Sequence, residues 1–394
     1  MIYFAIVFCV ILTVVFPLIA LPLNFVGVIV AKSKMRKFFA FLLAFSLAIL
    51  AYIWIPDSTM DLYRHHQQLG LFTDFDFSQM GVLIRANLEP LQYLIKFFVS
   101  QTGNYNLLQF LIVLCGYFEL FWIVCDYCQI KNARRSTFLL VLLFAFSGVR
   151  FIDFASGLWC NFAIINIAMG VYLEYFRNTK WIQYIFYLVA ACLHTGTVYV
   201  VVLTILLSKF RLFKKQRLST LLLCFLVILS IGGIVAFMNN LLGTESTIVS
   251  MFNRMYDSYF VNGEQYNELH SGWSLAFAIG NMLLSFVLSI WHYRKNKMND
   301  TYSSLVMYLS VCIFATTLIA GVFMRYGFLL VILSVPLMVD YLIMMKSKRL
   351  RIAFISIIMI LVVAQLSRSF AQMESAGLTR QISTSVTSSI IIGG

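Results

Sequence analysis

Between two basic clusters the chain reads WIQYIFYLVAACLHTGTVYVVVLTILLS over residues 181–208, and how this stretch sits in a bilayer decides the fold. As one α-helix it would run about 42 Å, too long for a single crossing of an apolar core of about 30 Å and too short for two. Arg177 and Lys180 precede it, and Lys209, Arg211, Lys214, Lys215 and Arg217 follow it. Basic clusters at the ends of apolar segments mark the cytoplasmic side, so both ends belong on one side. Polar His194, Thr195 and Gly196 stand near its midpoint. The stretch therefore reads as a short re-entrant hairpin that turns at His194, facing outwards.

The rest of the chain has the same character. Of its 394 residues 61% are hydrophobic and 11% charged, with mean hydropathy +0.89. A soluble domain carries about 25% charged residues, so much of this apolar surface must face lipid. Further apolar segments lie at 3–31, 38–55, 106–125, 136–149, 157–176, 218–238, 272–293, 302–323, 326–345 and 351–369. The segment 88–104, which opens Leu88-Glu89-Pro90 and holds Lys96 and Gln101, reads as re-entrant or interfacial. The expected fold is all-α: a polytopic transmembrane helical bundle of about ten spans plus two partial helices. One domain over 1–370 is expected, with outer loops at about 56–105 and 239–271 and a polar C-terminal tail at 371–394. The first segment lacks a basic leader and is too long for a signal sequence, so it is read as a retained helix.

The net charge of +13 is not a nucleic-acid footprint. In this topology 21 of the 29 Lys and Arg fall in short cytoplasmic clusters. The other eight are Arg64, Arg85, Lys96, Arg150, Arg254, Arg325, Arg368 and Arg380, and seven of these are the residue suited to bidentate phosphate recognition. Most carboxylates and His65, His66, His194 and His270 share their side. Cys125 and Cys128 form a lone C-x-x-C without the second pair or His cluster that zinc or redox use requires.

Four places carry chemistry. If 57–66 is helical, Asp57, Asp61, Arg64 and His65 share a face, giving either a solvated ion pair or a general base beside a cation. Arg150, at the boundary of two apolar runs and three residues before Asp153, is either a helical ion pair or an anion site. His194 is either a hydrogen-bonded structural residue or a proton-transfer or phosphate-binding group. The loop holding Arg254, Tyr256, Tyr259, Glu264 and Glu268 is either an aromatic belt or a carbohydrate surface.

In order, Asp61-x-x-Arg64, Glu89-Pro90, Arg150 opening a span, Leu193-His194-Thr195, the Arg254/Tyr256/Tyr259 loop and Arg325 resemble the EpsG/Wzy-type polysaccharide polymerases of capsule, exopolysaccharide and O-antigen assembly. The resemblance covers residues 1–345 and implies a GT-C-like membrane glycosyltransferase that needs no metal or cofactor. Its partners would be undecaprenyl-pyrophosphate-linked oligosaccharides, membrane lipid and a chain-length regulator, with no nucleic acid. Its place would be the bacterial cytoplasmic membrane, with the active site facing the periplasm or exterior. Asp61 and His194 would be catalytic, and Arg64, Arg150, Arg254 and Arg325 would hold the pyrophosphate. His65, Glu89, Tyr256, Tyr259, Glu264 and Glu268 would hold the sugars. A lipid-linked-oligosaccharide flippase, an O-antigen ligase and a membrane acyltransferase are the rival functions. Crowding of ionisable groups on one face, without internal repeats, favours an enzyme over a transporter.

The topology is tested by one cysteine at position 194 in a cysteine-free background. A membrane-impermeant maleimide should label it from outside only; labelling from the cytoplasmic side alone contradicts the re-entrant reading.

Overall fold

The structure, a computed structural model, describes residues 2–179, 181–229, 272–296, 300–315 and 320–382, and every regular element among them is helical. Among the described residues six helices are long and apolar enough to cross a bilayer: Lys34–Ile53, Leu107–Ile130, Leu158–Phe176, Ala276–Lys295, Tyr326–Met344 and Lys348–Ser375. Shorter apolar helices of 10–17 residues accompany them. The chain is thus an all-α polytopic helical membrane protein. Its helices pack as two compact units, Met1–Thr197 with Leu342–Gly394, and Val198–Tyr341.

The first unit begins with α1 (Ile2–Val15) and α2 (Pro17–Val30). The sequence reading expects a single span over 3–31; the structure breaks it at Phe16. Pro17 has no N–H to continue a helix and its ring crowds the preceding turn, so it opens a new helix instead. Each half has 14 residues, about 21 Å, too short to span alone. Buried Asn24 ties the pieces together, donating to Thr13 Oγ1 (2.8 Å) on α1 and Ser46 Oγ (3.1 Å) on α3 (Ser33–Ile53). Val7, Ile11 and Val14 of α1 stay exposed, as a lipid-facing stripe requires.

Two short helices, α4 (Asp61–Phe72) and α5 (Phe77–Ala86), lead to α6 (Pro90–Ser100). Then come α7 (Leu107–Ile130), α8 (Arg135–Gly148), α9 (Phe151–Ser156), α10 (Leu158–Phe176) and α11 (Ile182–Leu193). The helix α17 (Lys348–Ser375) closes the unit. A shared helix over 57–66 is not formed: α4 starts at Asp61, and Asp57 instead accepts the Thr59 backbone N–H at 2.8 Å. Residues of the expected tail are part of the fold through Ile382. Trp54 Nε1 donates to Ala376 O at 3.2 Å, the Gln381 amide bonds the Ile55 backbone, and Leu378 is buried.

Two polar clusters mark opposite ends of α3 and α7. At one end buried Asp126 of α7 accepts from Lys37 Nζ (3.1 Å) on α3, Tyr172 Oη (2.7 Å) on α10 and Arg177 Nε (2.7 Å). Lys37 and Arg177, assigned to one side by charge alone, do meet. At the other end Tyr52 of α3 accepts from Asn104 at 2.7 Å, so α3 and α7 run antiparallel.

The segment 181–208 is indeed interrupted at His194. It forms α11, a single 3₁₀ turn over Thr195–Thr197, and α12 (Val198–Lys209).

The second unit contains α12, α13 (Leu218–Leu229), α14 (Gly272–Lys295), α15 (Thr301–Ala315) and α16 (Ala320–Met344). Ser285 of α14 and Ser334 of α16 share a hydrogen bond of 2.6 Å. His292, which the sequence does not single out, is clamped between Asp300 and Asp340, with Nε2 2.8 Å from Asp340. In lipid such interhelical polar contacts replace the hydrophobic drive that water would supply.

Candidate functional site

Pro90 starts α6 because its fixed φ suits the first helical position. That places Glu89 at the N-cap with its side chain free to reach elsewhere. It reaches the interruption after α11: Glu89 Oε1 accepts from the Thr195 N–H (2.9 Å) and Thr195 Oγ1 (2.9 Å), and lies 3.1 Å from His194 Nδ1. Gln92 Nε2 donates to the other oxygen at 3.0 Å. The carboxylate therefore takes up a backbone donor that the broken helix would otherwise leave unpaired.

The ionisation of these groups follows from their surroundings. Burial raises the Glu89 carboxyl, but the bonds from His194 and Thr195 outweigh it and hold it at about 2. Burial disfavours a charged His194, yet the Cys160 sulfur and the Glu89 carboxylate lift it to about 10. His194 thus lies at the junction of two helices as an imidazolium, with Nδ1–H given to Glu89. Its buried Nε2 has no nitrogen or oxygen partner.

Seven residues along from Glu89, Lys96 is buried, donating to Gln68 Oε1 at 2.6 Å. Its Nζ lies over the Trp159 ring at 5.4 Å, and the His65 ring meets Trp159 edge to face at 6.0 Å. Burial pulls Lys96 down to about 8 against the pull of Glu89. Burial and the Lys96 charge push His65 down to about 3, so its ring is neutral.

Trp159 and Cys160 stand in the first turn of α10, and Asn161 beside them joins a second cluster. Arg150 caps α9 and pairs with Asp153, and Asn161 Nδ2 donates to the Asp153 carbonyl at 2.7 Å. Gln372 Nε2 of α17 donates to Asp153 Oδ1 at 2.9 Å, and Arg368 adds a second guanidinium charge felt by this pair. The α8–α9 break is held by Tyr117, which donates to Val149 O at 2.7 Å. Gly116 lets α9 seat against α7, since a Cβ there would lie 2.3 Å from Phe154.

The sequence profile of the EpsG family matches residues 61–378. The chain belongs to the EpsG family. Membership implies a role of the polymerase or glycosyltransferase type in polysaccharide synthesis at a membrane. Comparison with curated proteins and with solved structures gives no match.

In this EpsG-family chain the residues picked from sequence separate into groups. Glu89 bonds His194, His65 lies against Trp159 in the field of Lys96, and Arg150 with Asp153 adjoins them through the first turn of α10. Asp61 and Arg64 pair with each other on α4, Arg64 exposed and Asp61 partly so. Arg254, Tyr256, Tyr259, Glu264 and Glu268 lie outside the described residues, as does the side chain of Arg325 on α16. Sequence reasoning did not assign Lys96, Trp159, Gln92 or Gln372 to the site. Lys96 carried a signal, as the one lysine among the eight basic residues left outside the cytoplasmic clusters. Trp159 carried none, being one aromatic residue in a chain that is 16% aromatic.

The Glu89–His194 pair has a pH signature. With His194 raised from its ordinary 6.5 to about 10, its contribution to stability is full below about 6.5 and is lost as pH rises through about 10. The stability lead of the wild type over Glu89→Gln should therefore shrink across that window in thermal unfolding. A lead independent of pH contradicts the charged pair.

Proposed function

We propose that this chain is a polysaccharide polymerase, a glycosyltransferase that moves a growing glycan from undecaprenyl pyrophosphate to the non-reducing sugar of another lipid-linked repeat unit. The reaction would take place at the outer face of the bacterial cytoplasmic membrane. The observation that carries the reading is His194, charged by the Cys160 sulfur and Glu89 and presenting a buried Nε2 with no nitrogen or oxygen partner. It lies in the same unit as the Lys37–Asp126–Arg177 cluster, which charge assigns to the cytoplasmic end.

The acceptor hydroxyl oxygen forms a bond to the anomeric carbon as the bond from that carbon to the diphosphate oxygen breaks, inverting the centre. The electron pair leaves with the diphosphate, where charge develops. Preorganised cationic donors in a site shielded from water stabilise such charge. His194 Nε2–H supplies one, and the Arg150 guanidinium supplies the planar fork that phosphate oxygens favour. Glu89 does not fit the role of base: its oxygens accept four hydrogen bonds and its pKa is low. The acceptor proton goes to Asp61, whose carboxylate lies on the open side of α4 next to His65.

The test is polymer formation by the purified protein from lipid-linked repeat units. His194→Gln should lose about 10²–10³-fold and Asp61→Asn about 10²–10⁴-fold. Arg150→Lys should polymerise no better than Arg150→Ala. Wild-type polymer from the His194 variant at equal protein level overturns the reading, and no polymer from the wild type removes the polymerase assignment.

A further inference from the structure

Lys96 is a buried cation without an anion on it. The residue is 1% exposed, yet its ammonium makes one hydrogen bond, to the neutral Gln68 amide at 2.6 Å. Otherwise it faces the rings of Tyr93 at 5.6 Å and Trp159 at 5.4 Å. An ammonium carries three donors, and Glu89, the carboxylate that acts on it through space, is bound by His194, Thr195 and Gln92. A charge taken out of water is costly unless it is paired.

Three further buried atoms of this site have no nitrogen or oxygen partner: Trp159 Nε1, His65 Nδ1 and His194 Nε2. The indole nitrogen can only donate, as can the ammonium and a charged imidazole; neutral His65 can donate or accept. A set dominated by donors, two of them charged, is completed by a group that only accepts and carries negative charge.

We propose that Lys96, the Trp159 indole N–H and His194 form an oxyanion subsite that takes a phosphate group of a diphosphate-linked ligand, with the neutral His65 ring as its wall. The identity of the ligand rests on the polymerase reading, whereas the donor set does not. A purely structural lysine is the competing account. It differs in its consequences, because an apolar side chain of like length would fill the same volume without needing a counter-ion.

The experiment titrates inorganic pyrophosphate onto the purified full-length protein at pH 7 and follows thermal unfolding, with sodium glucuronate as a parallel arm. Binding to the folded state raises the unfolding midpoint. The wild type should be stabilised by pyrophosphate and not by glucuronate. Lys96→Met should bind pyrophosphate about 10- to 100-fold more weakly while its ligand-free midpoint stays at or above that of the wild type. Trp159→Phe, which keeps the ring and removes one donor, should weaken pyrophosphate a few-fold. The proposal is overturned by no stabilisation of the wild type, by equal pyrophosphate affinity in Lys96→Met, or by stabilisation from glucuronate instead. Lys96-dependent pyrophosphate binding in a protein that makes no polymer would keep the subsite and remove the polymerase reading. Polymer formation with Lys96-independent binding would do the reverse.

Discussion

A helix interrupted inside a bilayer frees backbone groups that no water is present to satisfy, and such a break survives only where protein supplies the partners. Besides the break at Phe16, helices of the first unit stop after Gly148 and after Leu193. Tyr117 answers one by donating to Val149 O, and Glu89 answers the other by accepting the Thr195 N–H. Each break also puts an ionisable side chain where the helix stops, Arg150 in one case and His194 in the other. The groups that make the interruptions tolerable are the same groups that aim the candidate site.

Charge then divides the labour within that site. Glu89 is spent on holding His194, and together with the Cys160 sulfur it keeps the imidazole protonated. The same burial that would neutralise His194 does act on His65 and Lys96, neither of which has a carboxylate within hydrogen-bonding distance. Neighbouring groups thus hold different protonation states because the Cys160 sulfur and the Glu89 carboxylate both hydrogen-bond to His194. The opposite end of the unit uses a carboxylate differently. Asp126 gathers Lys37, Tyr172 and Arg177 into a closed cluster that ties α3, α7 and α10 together.

The parts legible in the sequence were those governed by length or by short spacing. A stretch of 28 residues between basic clusters had to break, and its polar midpoint marked where. The Arg150–Asp153 pair followed from three-residue spacing at a span boundary. Local pattern failed at Pro17, where an unbroken apolar run hid a helix break, and at Asp57, which turns on Thr59 before the helix begins. Contacts between distant segments were not legible from pattern at all. Glu89 and His194 are 105 residues apart, and only family resemblance drew attention to both. Lys96 stood out by its side of the membrane, but its lack of a counter-ion is a fact of packing.

Glu89 is needed to hold His194 charged at the helix break, and ¹⁵N NMR of the histidine-labelled protein in detergent or lipid reads that charge, with the His194 resonances assigned by their loss in His194→Gln. The account predicts an imidazolium signal for His194 at pH 7.5 that becomes neutral in Glu89→Gln. A neutral His194 ring at pH 7.5 in the wild type, or an imidazolium that persists without the Glu89 charge, would contradict it.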